Sequence, residues 1–91
     1  MKFLITHKIN DFKHWIKFYD ADEPRRAAGG IKTVGIFKNV NDDNDLHIIM
    51  DTPNPEIIKE MLHSEDLKKI MQEAGVISKP EVSMLETVGL K

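Results

Sequence analysis

Hydrophobic and polar positions change their spacing within the first twenty residues. Apolar residues alternate with polar ones through residues 2–9, which predicts a β-strand. Asn10 or Asp11 can then cap a helix by accepting hydrogen bonds from free backbone N–H groups. A helix ending near Ala21 is predicted because an apolar stripe recurs at helical spacing, formed by Phe12, Trp15, Ile16 and Tyr19.

The middle of the chain predicts a short helical turn followed by a β-hairpin. The turn begins around Pro24, a residue suited to the first turn of a helix, and Gly29-Gly30 ends it. Two apolar runs, residues 31–40 and 45–52, predict strands two and three. Residues 41–44, NDDN, predict the connecting turn, because Asn and Asp are common turn residues.

A second helical region and a last strand complete the pattern. Asn54 and Ser64 each predict a helix start, and Gly75 predicts the end of the helical region. Residues 81–88 predict the fourth strand. The order β-α-β-β-α-β indicates a ferredoxin-like α+β fold, with one domain over residues 1–91. Its antiparallel sheet would have the spatial order 4-1-3-2, with the helices on one face.

The strands carry apolar side chains on both of their faces. In strand one, Phe3 and Ile5 point one way and Leu4 points the other; in strand three, Ile48 and Ile49 alternate in the same manner. The helices can cover only one face, and an antiparallel sheet that meets water is usually polar on that side. We therefore predict a homodimer that forms through the second sheet face.

Composition and charge argue against several classes of protein. The chain has 91 residues, of which 41% are hydrophobic and 31% charged, as in ordinary globular proteins. A formal net charge of −2 disfavours binding to nucleic acid. Because cysteine is absent, disulfides and thiolate nucleophiles are excluded. The N-terminus resembles neither a signal peptide nor a membrane span, so we expect a cytoplasmic protein that does not enter a membrane.

The layout of the chain resembles the small dimeric α/β-barrel proteins, relatives of the antibiotic-biosynthesis monooxygenases. The resemblance rests on FLITHKINDFKHWIKFYD, then GGIKTVGIFKNVNDDNDLHIIMDT, then SEDLKKIMQEAGVISKPEVSML, and so covers nearly the whole chain. It implies two sheets packed face to face with the helices outside. Members of this superfamily include monooxygenases, isomerases, haem-degrading enzymes and ligand binders, so the resemblance implies a fold and leaves the reaction open.

His7 and His47 are the candidate catalytic residues. If the centres of strands one and three are level, the two imidazoles lie side by side on one face of the sheet. Such a pair can act as general acid and base or bind a ligand oxygen. A one-residue change of register would place them on opposite faces. No third ligand is demanded by the spacing, so neither a metal site nor a cofactor is predicted.

Side chains suited to an apolar pocket recur along the first helix and the hairpin. Aromatic rings can stack on a planar ligand, and a methionine thioether adapts to irregular shapes. We therefore predict a ligand-binding set made of Trp15, Tyr19, Met50 and Phe37. Arg25 and Arg26 could recognise a carboxylate or phosphate, but the acidic residues around them favour surface ion pairs.

These observations favour a homodimer that binds a small apolar or aromatic molecule between its sheet and its helices. Two alternatives stay open: a cofactor-free enzyme of the monooxygenase, isomerase or cyclase type that uses His7, His47 and Trp15, and a structural or partner-regulating dimer. The three differ in what should lie between sheet and helices. An enzyme requires a cavity with converging polar side chains, a binder an apolar cavity, and a structural protein a filled core.

Overall fold

Four strands and four helices follow one another in a computed structural model that describes residues 1–89. The helices fall into two groups, each broken into two consecutive segments, so the predicted β-α-β-β-α-β order is confirmed. In chain order the elements are β1 (Lys2–Lys8), α1 (Phe12–Ala21), α2 (Glu23–Ala28), β2 (Lys32–Asn39), β3 (Asp42–Asp51), α3 (Pro55–Leu62), α4 (Glu65–Glu73) and β4 (Glu81–Leu85).

The strands form one antiparallel sheet in the order β2-β3-β1-β4, as the sequence predicts. In the central pair, Phe3 lies opposite Met50 and Ile5 opposite Ile48, so these four side chains share a face. Strand β4 adds Val82 beside Ile5 on that same face. This arrangement is the ferredoxin-like fold.

The β2–β3 hairpin is tighter than the sequence suggests. Its turn consists of Val40 and Asn41 alone, while Asp42 already belongs to β3. The prediction of a turn over residues 41–44 is therefore wrong in its extent. The acidic residues after Asn41 extend the strand instead, and the side chains of Asn39 and Asp42 accept backbone N–H groups at this end of the hairpin.

Two of the predicted helix caps form side-chain hydrogen bonds, and a third does not. Asn54 accepts a hydrogen bond from the backbone N–H of Glu56 at the start of α3, and Ser64 accepts one from Leu67 at the start of α4. Asp11 occupies the capping position of α1 without such a bond. Gly75 follows α4 with a φ of 86°, a backbone conformation that favours glycine.

The hydrophobic core lies between the helices and one face of the sheet. Trp15 of α1 and Ile58 of α3 are buried against the strand residues Phe3 and Ile48. Phe12, which the helical stripe predicts to share this face, is 40% exposed because it stands at the first turn of α1. Among the described residues, no helix is long and apolar enough to cross a membrane.

Candidate functional site

A half-enclosed cavity of about 90 Å³ lies between the helices and the inner face of the sheet. Its floor includes Ile5, His7 and Ile48 of the two central strands. Its other walls come from helical side chains, mainly Trp15, Phe18, Tyr19, Arg26, Leu62, Leu67 and Ile70, and from Ala74 directly after α4. Leu67 and Ile70 of α4 thus face this cavity, and the core between sheet and helices is not completely filled.

Three methionines, Met50, Met61 and Met71, contribute to the wall of the cavity. An engineered cavity of about 150 Å³ in another protein holds benzene, so a ring-sized guest here requires small side-chain movements. Methionine side chains are unbranched and have three rotatable bonds, which makes such movements inexpensive. The cavity therefore has an adaptable wall on its apolar side.

A continuous stack of planar groups forms another wall of the cavity. The guanidinium carbon of Arg26 lies 3.6 Å from the centre of the Tyr19 ring. Tyr19 stacks on Trp15 at 4.9 Å between ring centres, and the edge of Trp15 meets His7 at 5.9 Å. Arg26, Tyr19, Trp15 and His7 thus follow one another along one side of the cavity, with a cation at one end and an imidazole at the other.

Tyr19 is held in this stack by its hydroxyl group. The hydroxyl forms a 2.6 Å hydrogen bond with the hydroxyl of Thr33 and lies 3.7 Å from the sulfur of Met50. Burial raises the pKa of Tyr19, with the Thr33 hydrogen bond opposing that shift. Tyr19 is therefore an uncharged phenol near neutral pH, and its ring position is fixed from both helix and sheet.

His7 is buried in the floor of the cavity and only 4% exposed. Its Nδ1 atom is buried without a hydrogen-bond partner among the described residues. Burial lowers the pKa of His7. The residue's own backbone carbonyl raises the pKa, but this effect is smaller than that of burial. The ring is consequently neutral near pH 7, and a buried polar atom without a partner costs about 1–3 kcal/mol of stability.

Arg26 is the second buried polar residue of the cavity wall, also 4% exposed. Its Nη2 donates to the backbone carbonyl of Tyr19 at 2.7 Å and to the carboxylate of Glu23 at 3.0 Å. Its Nε is buried without a partner among the described residues. The prediction that both arginines form surface ion pairs is correct for Arg25, which pairs with Asp22. Arg26 forms an ion pair with Glu23 as predicted, but its own side chain is buried and not on the surface.

His47 does not share a face with His7. The register places Thr6 opposite His47 and Leu46 opposite His7, one residue away from the predicted pairing. Because side chains alternate along a strand, this difference turns His47 to the face without helices. The prediction of a histidine pair is therefore wrong.

On that second face, His47 belongs to a separate hydrogen-bond network. Its Nδ1 lies 3.0 Å from the hydroxyl of Thr6, and its Nε2 lies 3.2 Å from a carboxylate oxygen of Asp45. Burial acts to raise the pKa of Asp45, but hydrogen bonds from His47 and Asn39 and the charge of Lys8 lower it overall. Both ring nitrogens of His47 are thus satisfied within the sheet.

Of the four residues predicted to bind a ligand, three line the cavity and one does not. Trp15, Tyr19 and Met50 all face it. Phe37 lies opposite His47 on the face without helices, and its ring covers Gly35, where an added Cβ would come within 2.6 Å of the ring. The prediction that Phe37 lines the same pocket as the other three residues is therefore wrong, because its side chain points from β2 away from the helices.

Polar groups suited to a metal ion do not cluster in the part of the chain that the structure describes. Among residues 1–89, no three side chains of the His, Asp and Glu types converge on one point. His7, Asp22 and Arg26 are instead the ionisable side chains that line the cavity beside the phenol of Tyr19.

Solved structures with the same fold cover nearly the whole chain. An antibiotic biosynthesis monooxygenase superposes with a TM-score of 0.65 at 12% identity, covering 97% of this chain and 98% of its own. SnoaB, a cofactor-independent oxygenase from Streptomyces nogalater, superposes with a TM-score of 0.66 at 10% identity, covering 96% and 93%. The chain has the antibiotic biosynthesis monooxygenase-like fold.

The same fold also occurs in a protein of a different description. An uncharacterized NIPSNAP domain protein from Burkholderia xenovorans superposes with a TM-score of 0.62 at 7% identity, covering 99% of this chain and 97% of its own. Neither a protein-family model nor a curated protein matches the sequence. At these sequence identities, the similarity to the solved structures establishes the ferredoxin-like fold alone. The chemistry has to be argued from the side chains.

Proposed function

We propose that this protein binds a small apolar or aromatic molecule in the cavity between its sheet and its helices. The observation that carries the proposal is the stacked wall of Trp15 and Tyr19, which stands beside a space lined by methionine and aliphatic side chains. Ligand sites are typically mostly apolar with a few placed polar groups, and His7 and Arg26 supply those groups here.

We further propose that the binding unit is a homodimer formed through the face of the sheet without helices. Apolar side chains lie at the centre of that face, with Phe37 52% exposed and Leu4 and Ile49 half-buried. Charged pairs at the strand ends, including Lys2 opposite Asp51, form a polar border. An apolar centre with a polar border is the usual composition of a protein–protein interface.

A cofactor-free oxygenase is the second candidate function, and one observation supports it. His7 is neutral, buried and in edge contact with Trp15, so a ring nitrogen can take a proton from a bound acidic carbon or hydroxyl group. SnoaB, which has the same fold, is a cofactor-independent oxygenase. In this function His7 would act as the base, while the cavity walls would keep water away from the reacting molecule.

Native mass spectrometry of the protein as isolated tests the binding proposal. We expect an additional mass that stays bound to the folded protein and is lost on denaturation. In an Ala74→Leu variant, three added carbons would extend into the cavity from a residue of its wall, and the bound mass should disappear. Ala21→Leu, on the exposed end of α1, is the matched control and should retain it. A bound mass that survives Ala74→Leu unchanged would contradict the proposal.

A further inference from the structure

Arg26 places a permanent positive charge at one end of a mostly apolar cavity. Its guanidinium is buried and stacked on Tyr19 of α1, and its Nε has no partner among the described residues. A binding site for a purely apolar molecule gains nothing from such a group, because burying a charge opposes folding. The unfilled donor capacity at this position therefore points to an acceptor that the ligand supplies.

The charges around Arg26 leave room for an anionic partner. Glu23 binds Nη2 at 3.0 Å, but this carboxylate is 59% exposed, so water competes for it and its hold on the arginine is weak. Asp22 also lines the cavity, and its carboxylate is paired with Arg25 at 3.1 Å. Neither acidic side chain fully compensates Arg26 from within the cavity.

We infer that the ligand is a small ring compound carrying a carboxylate, with its ring along Trp15 and Tyr19 and its carboxylate on Arg26. The inference rests on the proposed ligand-binding function and specifies the chemical class of the ligand. A carboxylate that displaces Glu23 from Nη2 would receive parallel N–H groups from Nε and Nη2, which match its two oxygens. Stacking of Arg26 on Tyr19 holds that plane in a fixed orientation beside the aromatic wall.

Benzoate and benzamide test this inference because they share a ring and nearly the same shape but differ in charge. Both are titrated into the protein near neutral pH and followed by ligand-observed saturation-transfer NMR. In the wild type we expect benzoate to bind about tenfold more tightly than benzamide, since hydrogen bonds between charged groups are stronger than neutral ones. In Arg26→Met this preference should vanish, so that benzoate and benzamide bind with about equal affinity.

Lys17→Met is the matched control, because it removes one positive charge from an exposed position of α1 outside the cavity. It should keep the full preference for benzoate. Equal binding of the two compounds to the wild type, with both clearly bound, would overturn the inference and leave the binding proposal standing. Failure of both compounds to bind would overturn the inference and the binding proposal together. A preference for benzoate that survives Arg26→Met would overturn the inference alone.

A second variant guards against loss of structure when Arg26 is replaced. Glu23→Gln removes the competing carboxylate at an exposed position and leaves Arg26 in place. We expect benzoate affinity to rise by about two- to fivefold, with benzamide affinity unchanged, because an exposed ion pair of this kind contributes little. Unchanged benzoate affinity in Glu23→Gln would contradict a role for Arg26 in holding the carboxylate.

Discussion

Replacing His7 with leucine should make the protein more stable. The imidazole is buried in the cavity floor with an unpartnered Nδ1, and leucine fills a similar volume without a polar atom. Removing one such group should raise the free energy of unfolding by about 1 kcal/mol. In a domain of about this size, that gain corresponds to an increase in Tm of about 4–8 °C. A residue that lowers stability at its own position is a candidate for a functional role.

The stabilising effect of His7→Leu should grow as the pH falls. Burial lowers the pKa of His7 in the folded protein below its ordinary value of 6.5. Below pH 6.5 the unfolded chain therefore binds a proton that the folded chain does not bind, and the wild type loses stability as the pH falls toward the folded pKa. The leucine variant lacks this term, so the difference in Tm should be smallest above pH 7 and widen in mild acid.

Thermal unfolding followed by circular dichroism measures both effects. The two proteins are compared at equal concentration, because the proposed dimerisation would make Tm depend on concentration. His14→Leu is the control: its Nε2 is bonded to the backbone carbonyl of Glu73 at 2.8 Å, so its replacement should give no gain in Tm. A lower Tm for His7→Leu, or a difference that does not change with pH, would refute the view of His7 as a buried imidazole without a partner.

Three further predictions concern the packing, the helix caps and the proposed dimer interface. Trp15→Ala should lower the free energy of unfolding in urea by about 3–5 kcal/mol, because it empties a buried position in the stack. Asn54→Ala should cost about 1 kcal/mol through the lost cap of α3, whereas Asp11→Ala, without a cap hydrogen bond, should cost much less. Ile49→Lys, on the sheet face without helices, should give monomers in sedimentation velocity. Ile77→Lys, at an exposed position outside the four strands, should leave the dimer intact. Dimers of Ile49→Lys would argue against the proposed interface.

The element order could be predicted because most of its helices and strands carry a local signal, and the strand order follows from the element order. Alternation marks the strands, the helical stripe beginning at Phe12 marks α1, and Asn54 and Ser64 mark the starts of α3 and α4. The connection order then leaves few arrangements of a four-stranded sheet. Helix boundaries therefore agreed closely, with α1 ending at Ala21 as predicted.

The site could be predicted only in part because its geometry depends on long-range pairing. Nothing local distinguishes a register with His7 beside His47 from one with His7 beside Leu46, yet the choice decides which face each imidazole occupies. The burial of Arg26 was missed for a similar reason. Acidic neighbours in the sequence suggested a surface ion pair, whereas the packing of α2 against Tyr19 draws the guanidinium inside.

The central claim, that a small apolar molecule enters the space between sheet and helices, can be tested at the methionine methyl groups. Met50, Met61 and Met71 line the cavity, whereas Met1 and Met84 lie outside it and serve as internal controls. The protein is labelled with ¹³C-methyl methionine and titrated with toluene while its NMR spectrum is recorded. The account predicts saturable shifts of the three cavity signals with the other two unmoved. Toluene that leaves those three signals in place, or that shifts Met1 and Met84 equally, would contradict it.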